Sequence, residues 1–188
     1  ITVTRGSGFR QINENNYTLG TTNSEDYKQL INTLSDRGCF PTHIIHSWSS
    51  NLEGGKLDFD QAQDRGLYSL VLLLQAINFD RLSSNLRLLI VSRSVFATDA
   101  IDESGSGVNG TLSGFINSVG SEYELLVPSV MDVTSLSEKR EIDATINELR
   151  HTHAESVCFN SNIRCVTRIE ALSKDQLEST PIALKRGG

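Results

Sequence analysis

The sequence predicts an α/β fold, because strand-like and helix-like segments alternate along most of the chain. The clearest strand signal is Leu86–Ser92, a continuous apolar run of the kind that is covered on both faces in a parallel sheet. The clearest helix signal is the segment 23–37, in which apolar residues recur every three or four positions. The apolar segment 67–77 has the length and character of a buried helix. This alternation indicates a parallel sheet with helices on both faces.

The chain begins with segments that have the character of antiparallel strands, namely ITVTR, GFRQI and NYTL. A helix follows, with Asn23 or Ser24 as its N-cap, an acidic first turn and Gly38 at its end. Its apolar stripe is expected to contain Tyr27, Leu30, Ile31 and Leu34. The next strand is THIIHSW, and a polar loop, SSNLEGGKLDFDQAQDRG, is expected to lead into the helix at 67–77.

The second half of the chain continues the alternation. NGTLSGFINSVGSEY predicts a helix, and LLVPSVMDV predicts a strand whose Pro128 indicates an irregular or edge-like start. In the last predicted helix Ser135 and Glu138 match a capping box, and its apolar face is expected to contain Leu136, Ile142, Ile146 and Leu149. The segments ESVCFN and IRCVTRIEA flank a polar turn centred on Ser161, as in a hairpin.

These elements predict a Rossmann-like, truncated parallel sheet with antiparallel strand additions at the N- and C-terminal ends. Residues 1–188 are expected to form a single domain, with a linker-like tail from about residue 173. The formal net charge is -6 and the basic residues are scattered, which argues against binding to nucleic acid or to an anionic membrane. The apolar segment 67–77 is too short to span a bilayer, and ITVTRG does not resemble a secretion signal, so a cytoplasmic protein is expected.

The three cysteines, Cys39, Cys158 and Cys165, are an odd number without CxxC spacing. This pattern gives little support to a disulfide scaffold or to a zinc site. Cys158 and Cys165 could face each other across the predicted hairpin, but reduced thiols are the favoured interpretation.

The spacing Gly105-x-Gly107-x-x-Gly110 matches the dinucleotide-binding fingerprint, but its context does not. The fingerprint requires a strand that runs directly into the tight turn, whereas the nearest predicted strand ends at Ser92, a dozen residues earlier. The intervening loop also carries three acidic residues that would repel a pyrophosphate: Asp99, Asp102 and Glu103. A surface loop before a helix is favoured over a cofactor site.

Other catalytic and metal-binding patterns are weak. The reductase pair Tyr-x-x-x-Lys is absent, because none of the four tyrosines has a lysine four positions later: Tyr17, Tyr27, Tyr68 and Tyr123 are followed by Thr21, Ile31, Leu72 and Val127. Structural or solvated roles are favoured for the remaining candidate ligands, which are His43, His46, His151, His153, Asp58, Asp60 and Asp64. The sequence therefore predicts no catalytic, cofactor-binding or metal-binding residues.

Several segments, in the same order along the chain, resemble the structural subdomain of the ketoreductases of modular polyketide synthases. THIIHSWS is similar to the family strand IVHLWS, LYSLVLLLQAI to its SLLxLxQAL helix, and LRLLIVSRS to its LWLVTRG strand. SVMDVTS resembles the strand ending LVDLD, and SVCFNSNIRCVTRIEAL resembles the closing hairpin AYRxGxRYVxRL. The entry segment, TRGSGFRQINENNYTLGTTNSEDYKQLINTL, is also similar. Two segments depart from the family: LSGFINSVG lacks the Trp of LWGLGR, and HSWS replaces HLWS.

The resemblance implies a noncatalytic subdomain of a multidomain megasynthase that builds polyketides, including antibiotics. It implies that this half packs on and stabilises a catalytic subdomain in cis, which binds NADPH, whereas this chain binds no cofactor. In the family, the catalytic half follows such a hairpin with the motif TGGxGGLG, so it is expected to begin close to ALKRGG. Two alternatives remain open: a flavodoxin-like or docking module that recognises a protein partner, and a standalone nucleotide-dependent reductase with an unrecognised site.

Overall fold

The computed structural model describes residues 1–50, 58–96, 109–134, 136–151, 155–160, 162–168 and 171. The described chain forms two sheets. The larger sheet has five strands in the order of the sequence: β4 (His43–His46), β5 (Leu86–Ser92), β6 (Leu126–Asp132), β7 (Val157–Asn160) and β8 (Ile163–Val166). The strands β4 to β7 are parallel, and β8 is antiparallel to β7. The predicted α/β class and the C-terminal hairpin are confirmed.

The smaller sheet contains β1 (Thr2–Arg5), β2 (Arg10–Gln11) and β3 (Asn16–Leu19), in the order β1-β3-β2. The pair β2–β3 is antiparallel, as predicted, but β1 is parallel to β3, and the small sheet is separate from the main sheet. The reason is that β3 inserts between the first two strands. Gly6 allows this arrangement, since a Cβ there would lie 2.9 Å from the Cβ of Thr18.

Five α-helices cover the sheet within the described residues. They are α1 (Ser24–Asp36), α2 (Phe59–Gln63), α3 (Ser69–Ala76), α4 (Thr111–Glu122) and α5 (Glu138–Arg150). A π-helical turn (Asp64–Tyr68) joins α2 to α3, and a short 3-10 turn (Phe79–Arg81) follows α3. The helix predicted at 67–77 therefore starts earlier, at Phe59. The polar composition of residues 59–65 suggested a loop. In the structure these residues form the first, polar turns of a helical segment, and the apolar turns follow in α3.

Helices lie on both faces of the main sheet, as predicted. On one face α1, α3 and α4 pack with the small sheet over Leu86, Leu88 and Ile90. On the other face the smaller core cluster contains Leu89 and Val91, and Ala144 and Leu149 of α5 pack against it. The alternation along β5 sends successive side chains to opposite cores, which explains why this strand is apolar throughout.

Helix α1 follows its sequence pattern closely. The Asn23 side chain caps it by accepting a hydrogen bond from the Glu25 amide at 3.2 Å, and Gly38 ends it with a φ of 64°. The predicted stripe of Tyr27, Leu30, Ile31 and Leu34 is buried.

Helix α5 differs from its prediction. Its N-cap is Ser137, which makes no side-chain capping bond, so Glu138 begins the helix and the predicted capping box is wrong. Ser135 lies outside the described residues. Ile142 and Ile146 are 62% and 43% exposed, so they do not belong to the core face. The helix is rotated so that Glu148, only 3% exposed, can bind the guanidinium of Arg164.

No described helix is long and apolar enough to cross a membrane. The predicted linker-like tail from about residue 173 lies outside the described residues.

Candidate functional site

The carboxyl ends of β5 and β6 lie where doubly wound folds bind their ligands. Asp132, the last residue of β6, is 3% exposed, and its carboxylate is surrounded by donors from its own chain. Its Oδ2 atom accepts hydrogen bonds from the amides of Val95 and Phe96 at 2.8 and 3.0 Å. Its Oδ1 atom accepts hydrogen bonds from the amide and the hydroxyl of Thr134. Asp132 therefore holds the turn after β5 in place.

Arg93 ties the same edge of the sheet to its surroundings. Its Nε and Nη1 atoms donate to the carbonyl oxygens of Ser50 and Val133 at 2.9 and 2.8 Å. Its Nη2 atom donates to the Glu141 carboxylate at 2.6 Å, in a pair that is about one-fifth exposed. The guanidinium thus links β5, β6 and α5, and its donors are directed at protein oxygens.

The glycine fingerprint falls mostly outside the described part of the chain, which omits Gly105 and Gly107. Gly110 is the N-cap of α4, and the preceding Asn109 is 4% exposed and donates a hydrogen bond to the Arg93 carbonyl at 2.8 Å. The start of α4 is thus fastened to the end of β5 through a side chain. The prediction that no cofactor binds at this loop stays a prediction.

The four tyrosines occupy structural positions or the surface. Tyr17 and Tyr27 are 1% and 2% exposed, and their hydroxyls donate to the carbonyl oxygens of Glu14 and Thr21. Burial, with the carboxylate of Asp26 nearby, raises the pKa of Tyr27. Burial and Glu122 raise the pKa of Tyr123, whose ring stacks on Phe79. These pKa directions are opposite to what a proton-donating phenol needs at neutral pH.

The two histidines of β4 have different environments. His43 is exposed, whereas His46 is 7% exposed and its Nε2 atom lies 2.9 Å from the Ser69 hydroxyl. Burial lowers the pKa of His46 to about 4, so the ring is neutral at physiological pH. The Trp48 ring lies beside it, with a centroid separation of 5.4 Å. His46 is a core residue that connects β4 to α3.

The remaining candidate ligands do not come together. Asp58 is the N-cap of α2, Asp60 lies in α2 and Asp64 lies in the π-helical turn, so Asp60 and Asp64 are helical rather than part of a loop. His151 ends α5, and His153 lies outside the described residues. No cluster of three or more potential metal ligands occurs among the residues that the structure describes.

One surface of the helix layer is largely apolar and partly exposed. The helix α3 lies beside α1 on the sheet, and its inward residues Leu70, Leu73 and Leu74 are buried. On its other side Tyr68 is 53% exposed, and Val71 and Leu72 are half-buried, with Leu72 also packed against the large core cluster. We call Tyr68, Val71 and Leu72 the α3 surface. The sequence indicated a buried helix here but not which of its side chains would stay near the surface, because most sides of the segment 67–77 are apolar.

The neighbouring helix α4 lies beside this region and carries an exposed glycine. Thr111 at its start donates a hydrogen bond to Gln63 at 3.0 Å, and Leu112 lies against Gly66, so α4 is fixed next to the helix that leads into α3. Gly114 lies in the middle of α4, and a Cβ placed there would meet nothing within 4 Å. Its backbone is therefore open to close approach by another body.

Comparison with known proteins agrees with this architecture. A keto acid-selecting NRPS module with adenylation, ketoreductase and pseudo-Asub parts is 25% identical with a TM-score of 0.75, over 87% of this chain and 14% of that one. An N-terminal ketoreductase from the macrolactin assembly line is 19% identical with a TM-score of 0.65, over 90% of this chain and 35% of that one. The chain thus spans about one-seventh and one-third of these two proteins.

A wider set of structures shares the fold. An alcohol dehydrogenase from the archaeon Thermococcus sibiricus is 13% identical with a TM-score of 0.59, over 83% of this chain and 77% of that one. No curated protein matches the sequence at a significant level. Residues 1–149 match the profile of the family described as beta-ketoacyl synthase-like, N-terminal. The chain therefore belongs to the beta-ketoacyl synthase-like N-terminal family, and its predicted resemblance to the structural subdomain of polyketide synthase ketoreductases is confirmed.

Proposed function

We propose that this chain is a noncatalytic subdomain that packs on and stabilises the NADPH-dependent catalytic half of a ketoreductase in polyketide biosynthesis. The observation that carries the proposal is the partly exposed, largely apolar α3 surface on a fold that resembles ketoreductase structural subdomains. A helix that is apolar on its outer side favours a second body over water.

The α3 surface is suited to a partner domain that also presents helices at its surface. Tyr68 offers a large ring with a polar tip, and Val71 and Leu72 lie beside it on the same side of the helix. Gly114 on α4 would let a helix from the partner approach closely. Interfaces between domains of one protein bury about 600–1,500 Å². At about 25 cal/mol per Å² of apolar area, such an interface contributes several kcal/mol before ordering costs are subtracted.

The chemistry of reduction belongs, in this proposal, to the partner. The tyrosines of this chain lack the Tyr-x-x-x-Lys lysine, and Tyr17 and Tyr27 are buried against carbonyl oxygens. At the carboxyl ends of β5 and β6, Asp132 and Arg93 make several hydrogen bonds to their own chain. These residues support a rigid structural edge, and NADPH would bind only in the catalytic half.

We further propose that residues 1–188 form one subdomain, with a linker from about residue 173 that leads to the catalytic half in cis. The support is the resemblance of the β7–β8 hairpin to the family hairpin that precedes the catalytic half. The other domains of a synthase would then lie on the same polypeptide.

The test is to express the catalytic half alone and then with residues 1–188 supplied in cis or in trans. We expect the catalytic half alone to melt at a lower temperature and to be less soluble. Supplying this chain at about a hundred times its dissociation constant should add roughly 2.7 kcal/mol of stability. An equal melting temperature, solubility and NADPH affinity with and without this chain would contradict the proposed function.

A further inference from the structure

The last hairpin places two cysteines directly opposite each other. Cys158 on β7 is the register partner of Cys165 on β8. Their neighbours Val157 and Phe159 pack in the core cluster under α5, so the two cysteines lie on the opposite face of the sheet. All three cysteines of the chain are free thiols, and Cys158 and Cys165 are both half-buried.

The spacing across the hairpin allows a disulfide. Residues directly opposite on antiparallel strands have Cα atoms about 4.5 or 5.5 Å apart, and both values lie within the range of about 4.4–6.8 Å found in disulfides. Their Cβ atoms are about 4.5–5.5 Å apart, somewhat more than the mean of about 3.8 Å in a disulfide. Closing the bond therefore pulls the strands together slightly, and a bond formed under such strain is easily reduced.

The site is open to small reagents. Ile163, two residues before Cys165, is 67% exposed, and the Cys165 sulfur lies 3.6 Å from its carbonyl oxygen. Within the described residues, the register between β6 and β7 consists of Met131 with Val157 and Asp132 with Cys158. The ladder that joins the hairpin to the rest of the main sheet is therefore short.

The two thiols differ in reactivity. Burial raises the pKa of the Cys158 thiol, and the neighbouring Cys165 sulfur and the Asp132 carboxylate raise it further. The raised pKa lowers the thiolate fraction of Cys158, and Cys165 lies on the edge strand β8, so the reaction with an electrophilic sulfur is assigned to begin at Cys165.

We propose that Cys158 and Cys165 form a reversible dithiol–disulfide couple, oxidised by a low-molecular-weight disulfide such as glutathione disulfide. The Cys165 thiolate attacks one sulfur of the reagent, and one glutathione leaves as its thiolate. Cys158 then loses its proton to solvent and attacks the Cys165 sulfur of the mixed disulfide, which expels the second glutathione. The two protein thiols are oxidised by two electrons in total, and one glutathione disulfide becomes two thiols.

The test uses residues 1–188 equilibrated in glutathione buffers that range from fully reduced to fully oxidised. Peptide mapping of the unaltered chain is expected to show a Cys158–Cys165 linkage in oxidised buffer, with the exposed Cys39 linked to neither and present as a free thiol or as its own glutathione adduct. Excess reduced glutathione should restore all three thiols.

Two variants sharpen the result. Cys39→Ser should keep the couple intact, whereas Cys158→Ser should stop at a glutathione adduct on Cys165. The proposal is overturned if the unaltered chain keeps both thiols in fully oxidised buffer, or if each takes up its own glutathione without a linkage between them. Because these outcomes are read on the unaltered chain, they do not depend on how well a variant folds.

Discussion

At the scale of single residues, His46 makes stability depend on pH. Burial holds its pKa at about 4 in the folded chain, below the usual 6.5, so the unfolded chain binds the proton more readily between these values. The contribution of His46 to the free energy of unfolding is therefore fully present above pH 6.5 and is lost as the pH falls towards 4. The total loss below pH 4 is about 3 kcal/mol.

The measurement is denaturant unfolding at several pH values between 4 and 7. His46→Gln should flatten the dependence, while His43→Gln, at an exposed position on the same strand, should leave it unchanged. An unaltered slope in His46→Gln would show that other groups carry the pH dependence.

The buried carboxylate of Glu148 supports a second prediction at this scale. Its two oxygens accept hydrogen bonds from Arg164 at 2.6 and 3.1 Å, which joins α5 to β8. Arg164→Ala would leave the Glu148 carboxylate, which is 4% exposed, without this partner. We expect the free energy of unfolding to fall by about 2 kcal/mol. This is less than for a fully buried pair, because Arg164 is 31% exposed. Glu155→Ala, which removes the outer and more exposed contact of Arg164, should cost under about 1 kcal/mol in the same unfolding assay. Equal losses of unfolding free energy in the two variants would contradict the conclusion that Glu148 is the main partner of Arg164.

At the scale of the elements, the two glycines of α4 should respond in opposite ways to the same change. Gly114→Ala meets nothing within 4 Å and should stabilise the chain by about 0.5–1 kcal/mol, because glycine is a poor helix residue. Gly120→Ala would place its Cβ 3.2 Å from the Pro128 ring, which offsets that gain. Thermal unfolding of the two variants is the check, and a stabilisation by Gly120→Ala equal to that by Gly114→Ala would contradict the packing of α4 on β6.

The elements also show what local sequence can and cannot predict. The cap at Asn23, the stop at Gly38 and the stripe of α1 follow from contacts within a few residues, and all were predicted. The orientation of α5 was not, because it depends on Arg164, which lies 16 residues beyond Glu148 in the sequence. The early start at Phe59 was missed because the first turns of that helix are polar and a π-helical turn interrupts the period.

At the scale of the whole molecule, the main sheet was predictable because the sequence of β5 is largely apolar. Leu86–Ser92 must be buried on both faces, so a parallel sheet between two helix layers follows from composition alone. Pro128 was also placed correctly, since it lies in the part of β6 that pairs with β5 alone. The small sheet was only partly predictable. Its three predicted strands are similar in length and composition, so the sequence does not indicate that β1 pairs with β3 rather than with β2.

The candidate site was the least predictable feature. The expectation that this half packs on a catalytic subdomain followed from the resemblance, but no spacing rule identified Tyr68, Val71 and Leu72 as the residues of such a surface. The segment that contains them is apolar except for Ser69 and Gln75, and only the inward packing of Leu70, Leu73 and Leu74 shows which apolar side chains stay near the surface.

The central claim, that this chain stabilises a catalytic partner through the α3 surface, is tested most directly by calorimetric titration of residues 1–188 with the separate catalytic half. We expect saturable binding that Tyr68→Glu weakens at least tenfold, or by about 1.4 kcal/mol. Ile142→Glu, at a position on α5 of similar exposure, 62% against 53%, should bind as the unaltered chain does. Absence of binding, or equal weakening by the two variants, would contradict the account.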